Sequence, residues 1–241
     1  WQVPLRVLRV RVAQGQGESV EAAARQARRA AWARLLRPGQ WLLTAQHADD
    51  QLETFLLQAL RGAGPAGLAG MATDAPLGQG RLWRPLLALT RQDLQDYVGS
   101  QQLPVIDDPS NADTRFDRNY LRQTVLGPLR ARWPAAAQTV SRAARLVHEA
   151  QQSALAQAHH DAAAAADGAA LDLQVLRRLP AVRQRAAVRQ WLQAQARPVP
   201  DEQRLMAVCA LASVRADALP LVQWEGVQVC RHGHRLVCLP Y

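Results

Sequence analysis

The chain has 241 residues, 49% of them hydrophobic, which is enough to bury a sizeable core in one or two domains. Its formal net charge is +9 and all 29 basic residues are arginine, which favours a polyanionic partner, nucleic acid ahead of membrane, although arginine-rich solvated helices would give the same balance. Three cysteines without paired spacing argue against a disulfide framework or a zinc site, and no apolar run approaches the roughly 20 residues that span a bilayer.

The first sixty residues alternate between strand and helix patterns. Residues 3–12 mix β-branched and arginine positions in near alternation, which predicts a strand. Residues 18–37 are rich in Ala, Leu, Glu and Arg, which predicts a helix. The apolar run 40–45 is consistent with a buried strand, and residues 47–60 return to helix. This order predicts βαβ units and a parallel sheet.

The remaining chain is predicted to be mostly helical. The glycine-rich stretch 61–80 is interpreted as a loop, and residues 90–102 as a helix with a capping box of Thr90 and Asp93. Residues 104–119 form a polar, turn-rich loop. Beyond it, the Ala-rich run predicts one long helix over 135–166, further helices over 171–215, and a hairpin over 221–239 with its turn at His232-Gly233. The fold class is therefore α/β, followed by a long helix and a mostly helical second domain.

The stretch 44–54 concentrates a histidine and three carboxylates where a strand leads into a helix. That edge of an open α/β sheet is where ligands bind. Helical spacing lets His47, Asp50 and Glu53 share a surface pairwise, since each lies three residues from the next. Carboxylates there suit a magnesium ion or the ammonium of an amino-acid substrate, and a histidine can donate to a phosphate or an oxyanion. The alternative is an acidic first turn that complements the helix dipole.

Two later stretches combine turns with arginine. Arg61 precedes closely spaced glycines, so it could neutralise a phosphate beside an approaching backbone, or simply mark a helix end with a glycine stop. Residues 107–122 carry three arginines, which could meet RNA phosphates or pair with aspartates of the same loop. The arginines of 177–189 are likewise either an RNA-facing strip or a solvated face.

Together and in this order, the stretches resemble the tRNA(Ile)-lysidine synthetase family of PP-loop ATPases. The segments that carry the resemblance are Glu21 to Arg28, Ala45 to Thr54, Arg61 to Leu68, Arg84 to Leu87 and Asp107 to Arg122. Several motifs in the same order are stronger evidence for a family resemblance than any one motif alone. The resemblance implies a partial PP-loop catalytic domain over 1–130, with a parallel sheet. It implies a helical linker and a tRNA-binding domain over 131–241.

The resemblance also implies a reaction and the residues that perform it. ATP would adenylate the C2 oxygen of the wobble cytidine of an isoleucine tRNA with a CAU anticodon, and free L-lysine would then attack C2 and expel AMP. The implied catalytic residues are His47, Asp50 and Glu53, and the implied ATP-binding residues are Arg25, Arg28 and His47. The implied tRNA- or substrate-binding residues are Arg61, Arg84, Arg118, Asn119 and Arg122. ATP and Mg²⁺ are the implied cofactors, and the metal ligands stay unknown.

The sequence departs from the family at its beginning. The family opens with an S-G-G-x-D-S loop whose backbone amides hold pyrophosphate, and no such motif is present. Because the chain starts at Trp1 within a strand-like run and has no leader sequence, we expect an N-terminal part to be missing and this polypeptide alone to be inactive. We expect a cytoplasmic protein without a membrane partner, whose oligomeric state stays open, a homodimer included.

Two alternatives stay open at this point. A tRNA thiolase of the same superfamily would commonly use paired cysteines, for which Cys209, Cys230 and Cys238 are poorly placed. A catalytically inactive tRNA-binding fragment or pseudoenzyme would keep the arginine excess and lack the phosphate-binding loop.

Overall fold

The computed structural model describes residues 3–13, 20–106, 113–213 and 221–241. Contacts between Cα atoms divide the chain into two compact units, Trp1–Glu149 and Ala150–Tyr241. None of the helices in these described ranges is long and apolar enough to cross a membrane.

The described part of the first unit contains a three-stranded sheet and seven helices, the last of which continues past the division. The strands are β1 (Trp41–Leu43), β2 (Asp74–Leu77) and β3 (Gly80–Trp83). The helices are α1 (Val20–Leu35), α2 (Ala48–Leu60), α3 (Pro65–Leu68), α4 (Arg91–Ser100), α5 (Asp117–Tyr120), α6 (Leu126–Arg132) and α7 (Ala136–Ala164), with a π-helical turn (Leu121–Val125) between α5 and α6. The strand order is β1-β3-β2, with β1 parallel and β2 antiparallel to β3.

Most of the predicted helices are confirmed. Helices α1, α2, α4 and α7 lie within or close to the ranges that the sequence predicts. The predicted cap of α4 also forms, because the Thr90 hydroxyl accepts the backbone N–H of Asp93 and the Asp93 carboxylate accepts that of Thr90. The α/β class and the long helix followed by further helices are therefore confirmed.

Two strand predictions are wrong in detail. Residues 3–13 are exposed and have no regular secondary structure, because none of the described strands pairs with them and alternation alone does not supply the hydrogen bonds of a strand. Strand β1 forms but is not buried, since the side chains of Trp41 and Leu43 are 48% and 58% exposed. Trp41 instead packs edge-on against Trp83, with ring centroids 6.1 Å apart.

The glycine-rich stretch 61–80 is not simply a loop, because it contains α3 and the strand β2. Strand β2 turns into β3 at Gly78, whose φ angle is 59°. A Cβ atom there would stand 2.1 Å from the carbonyl oxygen of Ala33, so the hairpin can lie against α1 only with glycine at this position.

The second unit contains short helices and a five-stranded antiparallel sheet. The helices are α8 (Leu173–Leu176), α9 (Ala181–Ala194) and α10 (Glu202–Ala210), followed by a 3₁₀ turn (Leu211–Ser213). The strands are β4 (Ala166–Asp167), β5 (Ala170–Asp172), β6 (Leu221–Trp224), β7 (Val227–His232) and β8 (Arg235–Pro240), in the order β4-β5-β8-β7-β6. The sheet packs Val229 and Leu236 against the buried side chains of Trp191 and Leu205.

The hairpin predicted over 221–239 is confirmed in part, because these residues form three antiparallel strands, β6, β7 and β8. The turns lie at Glu225-Gly226 and at Gly233-His234, one residue after the predicted turn. Strands β4 and β5 were not predicted, because two and three residues are too few to show a period of two. The second unit is thus helical with a small sheet.

Candidate functional site

The candidate site lies where β1 leads into α2. His47 has an extended backbone and caps α2, and its N–H donates to the Oδ2 atom of Asp50 at 3.0 Å. Its imidazole is 17% exposed and lies between two carboxylates, 3.6 Å from Asp49 and 3.5 Å from Asp50. The Nδ1 atom of His47 is buried and has no hydrogen-bond partner among the described residues. This nitrogen is shielded from solvent, so only the rest of the His47 ring faces the adjoining cavity.

Asp50 and Glu53 join the arginines of α5 and the π-helical turn in one ion-pair network. Arg118 Nε donates to Glu53 Oε2 at 2.6 Å, and Arg122 Nε donates to Glu53 Oε1 at 2.5 Å. The Nη2 atoms of both arginines also reach Asp50 Oδ1, at 3.2 and 2.8 Å. Burial works to lower the pKa of Arg122, but its contacts with Glu53 and Asp50 raise it above the ordinary value. Arg122 therefore stays charged, and the carboxylates hold both arginines in place.

Asp49 forms a second set of contacts that the sequence did not single out. It is 5% exposed, accepts the backbone N–H of Arg91 at 2.6 Å and pairs with Arg130 at 2.6 Å. Burial works to raise the pKa of Asp49, but His47, the Arg91 N–H and the charge of Arg130 lower it to about 2. Since the imidazole of His47 is 3.6 Å away, its contribution is chiefly electrostatic. Asp49 is therefore ionised at neutral pH.

A cavity of about 400 Å³ opens between these groups. Its lining residues are His47, Asp49, Glu53, Arg91, Arg122, Gln123 and Arg130. Asp50 is not among them and lies behind Arg118 and Arg122. The sequence could not indicate Arg130, which is 81 residues from Asp49 and carries no motif of its own. A cavity with two carboxylates and three arginines can hold a ligand that carries both signs of charge.

The arginines predicted to bind ATP or tRNA form a cluster with few acids. Burial lowers the pKa of Arg25, and so do the charges of Arg118 and Arg29. Burial lowers the pKa of Arg84 as well, with Arg29 and Arg25 adding to the effect. Arg84 is 7% exposed and donates to the carbonyl of Ala72, but its Nε atom is buried without a partner. A bound anion would offset this repulsion, so the cluster fits phosphate groups.

The remaining predicted residues lie outside the cavity lining. Arg61 is 56% exposed and pairs with Asp117 at 2.9 Å, and the Asn119 amide donates to the carbonyl of Asp113. Arg28 lies on α1 beside Arg25 and adds to the positive charge there. Residues 107–112 of the predicted arginine-rich loop lie outside the described residues.

The described carboxylates do not form a metal site on their own. Within the described ranges, no three His, Cys, Asp or Glu residues come together in a way that could hold a metal ion. Asp50 and Glu53, the predicted metal candidates, already accept hydrogen bonds from Arg118 and Arg122. No step of the chemistry is therefore assigned to a metal held by these side chains.

The low pKa of Asp49 predicts a pH-dependent contribution to stability. Because the pKa in the folded state lies below the ordinary 3.8, the contribution is complete above about pH 4 and is lost as the pH falls towards 2. We expect Asp49→Asn to lower the free energy of unfolding by about 2 kcal/mol at pH 7. Urea unfolding at pH 7, 5 and 3 should show this deficit shrinking only at the lowest pH. A deficit of equal size at all three would contradict an electrostatic origin.

Comparison with known proteins relates both units to named domains. The PP-loop domain family matches residues 1–129, and the TilS substrate binding domain matches residues 171–237. A curated tRNA(Ile)-lysidine synthase of Xanthomonas axonopodis pv. citri is 45% identical over 95% of the chain, and that of Escherichia coli O157:H7 is 43% identical over 98%. These matches cover 53% and 55% of the two relatives, so the chain spans about half the length of the curated relatives it matches.

Proposed function

We propose, since the chain belongs to the tRNA(Ile)-lysidine synthase family of PP-loop proteins, that it takes part in the ATP-dependent ligation of lysine to C2 of the wobble cytidine in an isoleucine tRNA with a CAU anticodon. The observation that carries the proposal is the cavity at the start of α2, where carboxylates and arginines lie within one small volume. ATP binding is supported by the PP-loop match, and Mg²⁺ would arrive with the ATP phosphates.

Adenylation needs positive charge where phosphate is bound and released. Desolvation and the charges of neighbouring arginines lower the pKa of both Arg25 and Arg84, so phosphate oxygens beside these two side chains would be favoured. Arg28 would extend this surface along α1. His47 is the candidate donor to the phosphate of the adenylated cytidine, because it lines the cavity and an imidazole N–H can donate to a phosphate oxygen.

The cavity is complementary to free lysine, which carries two ammonium groups and one carboxylate. Asp49 and Glu53 are ionisable acceptors on its wall, and each oxygen of Glu53 accepts one guanidinium N–H and keeps a further lone pair. Arg91 and Arg130 line the same wall and would meet the carboxylate. Asp50 acts as a positioning residue, because it holds Arg118 and Arg122 from behind.

We further propose that the two parts of the chain have different functions. Residues 1–130 would carry the catalytic chemistry and residues 131–241 the helical linker and tRNA binding. The support is that the TilS substrate binding domain matches 171–237 and that the PP-loop match ends at residue 129. The exposed Arg61 and the amide of Asn119 would add contacts to tRNA from the catalytic part. We place this chemistry in the cytoplasm, and a homodimer stays compatible with it.

The alternatives are less well supported. A thiolase would need reactive thiols, yet burial raises the pKa of Cys209 to about 11, so this side chain stays a thiol at neutral pH. Burial also raises the pKa of Cys238. A non-catalytic tRNA-binding fragment would keep the arginines but would not need the ion-pair network around Glu53.

The decisive experiment compares two polypeptides in the incorporation of labelled lysine into an isoleucine tRNA with a CAU anticodon. The 241-residue chain alone should bind tRNA in a salt-sensitive manner without incorporating lysine, because adenylation requires a loop that holds pyrophosphate. The same chain joined at its N-terminus to a segment that carries the S-G-G-x-D-S motif, called the full polypeptide below, should incorporate lysine.

Each of the two polypeptides can give a result that contradicts the proposal. Robust incorporation by the 241 residues alone would show that the phosphate-binding loop is dispensable. Absence of incorporation by the longer polypeptide, with tRNA binding intact, would favour the non-catalytic fragment.

A further inference from the structure

A second cavity, of about 480 Å³, lies in the unit Trp1–Glu149 and shares no lining residue with the site described above. Its floor is apolar and includes Ala69, Met71 and Leu87. Its polar rim comes from successive turns of α7 and consists of Gln138, Ser141, Arg142, Arg145 and His148. The proposed chemistry at His47 and Glu53 does not use this cavity.

Among the described residues, one arginine of the rim has no carboxylate as an ion-pair partner. Asp74 also lines the cavity, but it is held by Arg81 at 2.6 Å. Arg145 pairs with Glu149 at 2.5 Å. Arg142 is exposed and forms no ion pair within the described ranges. The second cavity therefore presents one uncompensated positive charge at the edge of an apolar floor.

A buried hydroxyl beside Arg142 lacks the partner that it needs. The Oγ atom of Ser141 is inaccessible to solvent and forms no hydrogen bond with the described residues, although Ser141 lines the cavity. This hydroxyl is closed off from the cavity, so Ser141 contributes the rest of its side chain to the wall. Arg142 is therefore the group on this part of α7 that can meet the negative charge of a ligand.

We propose that this cavity binds one nucleotide of the RNA substrate, with its phosphodiester at Arg142 and its base on the floor of Ala69, Met71 and Leu87. The proposal rests on the proposed function, which supplies the RNA. A volume of about 480 Å³ is of the size that holds small organic ligands, and every base presents a flat face that an apolar floor can cover. A phosphodiester carries one negative charge, which one free arginine matches, whereas a free nucleoside triphosphate carries several.

The test uses two variants of the full polypeptide and a matched control. Arg142→Gln removes the free charge, and Ala88→Phe places a ring over the cavity from an exposed position on its wall. Arg34→Gln removes an exposed charge from the last turn of α1 and serves as the control. Filter binding of the isoleucine tRNA is measured over a series of salt concentrations, and circular dichroism confirms that each variant is folded.

The two variants should differ in their dependence on salt. Arg142→Gln should weaken binding at low salt and reduce the slope of log K against log salt concentration by about 0.7–0.9, which is the loss of one phosphate contact. Ala88→Phe should weaken binding by about fivefold or more at every salt concentration and leave the slope unchanged, because its ring keeps the base from the apolar floor and does not change the charge. Arg34→Gln should change the affinity less than either variant.

Four outcomes would overturn the proposal, and they are distinguishable. Wild-type affinity and slope in both variants would mean that the cavity does not contact RNA, while the proposed function could still hold. An effect of Arg142→Gln without any effect of Ala88→Phe would reduce the site to a surface phosphate contact. Calorimetry showing that AMP alone binds the wild type and not Ala88→Phe, with tRNA binding unchanged, would assign the cavity to a free nucleotide. A wild-type protein that binds no tRNA would overturn both proposals.

Discussion

Replacing Glu53 by alanine should lower the free energy of unfolding of the first unit by about 3 kcal/mol. The carboxylate is 2% exposed and each of its oxygens accepts a guanidinium N–H, from Arg118 and from Arg122. Removing one side of a buried ion pair leaves the other side desolvated and without compensation, which typically costs about 3–5 kcal/mol. We expect the lower end of that range, because the side chains of Arg118 and Arg122 remain 26% and 31% exposed.

The matched control is Glu149→Ala, which also deletes one glutamate that pairs with one arginine. Its side chain is 57% exposed and its pair with Arg145 is of the i, i+4 helical kind, so we expect a loss of about 0.3–0.5 kcal/mol. Urea unfolding followed by tryptophan fluorescence measures both variants against the wild type. Replacing Glu53, Arg118 and Arg122 together by apolar residues should recover part of the loss. Equal small losses in both single variants would contradict a structural role for Glu53.

The sequence could indicate the parts of this site whose contacts are local. His47, Asp50 and Glu53 are each three residues apart, so their proximity follows from the helix that begins at Ala48. The cap of α4 could be predicted in the same way, because Thr90 and Asp93 satisfy each other's backbone within one turn. Predictions of this kind need only the geometry of one helix.

The partners of these carboxylates could not be predicted from spacing. Arg118 and Arg122 lie 65 and 69 residues from Glu53, and the motif that contains them was compatible with pairing inside its own loop. Arg130 lies in α6, where its spacing resembles that of an ordinary solvated arginine. Contacts over such separations depend on how helices pack, and one sequence carries no direct record of packing.

The errors in the strand predictions have a related cause. The alternation in residues 3–12 shows that these side chains favour an extended backbone. A strand also needs a neighbouring strand that supplies backbone hydrogen bonds. Strand β2 was not predicted, because Pro76 within it and Gly78 after it are typical of a loop when they are considered alone. Its pairing with β3 is what makes that segment a strand.

Replacing Asp50 by asparagine should separate catalysis from RNA binding in the full polypeptide. Asp50 Oδ1 holds Arg118 and Arg122, and its Oδ2 accepts the N–H of His47, so one carboxylate orients three groups of the proposed site. Asparagine keeps the shape and one acceptor but loses the charge. Misplacement of catalytic groups by about 1 Å can cost about 100-fold in rate, and we expect a loss of turnover of that order.

Binding of tRNA should change by less than about threefold in the same variant, because phosphate contacts are spread over many arginines and each contributes modestly. Asp96→Asn is the control, since Asp96 lies exposed on α4 and contacts only Gln92 among the described side chains. The measurements are lysine incorporation under saturating tRNA and filter binding at two salt concentrations. A positioning role also predicts that Asp50→Glu does not reach the wild-type turnover although it keeps the carboxylate. The longer side chain would displace Arg118 and Arg122. Parallel losses of binding and turnover in Asp50→Asn would instead show that Asp50 serves the fold or RNA contact, and would contradict its assignment to the orientation of the catalytic groups.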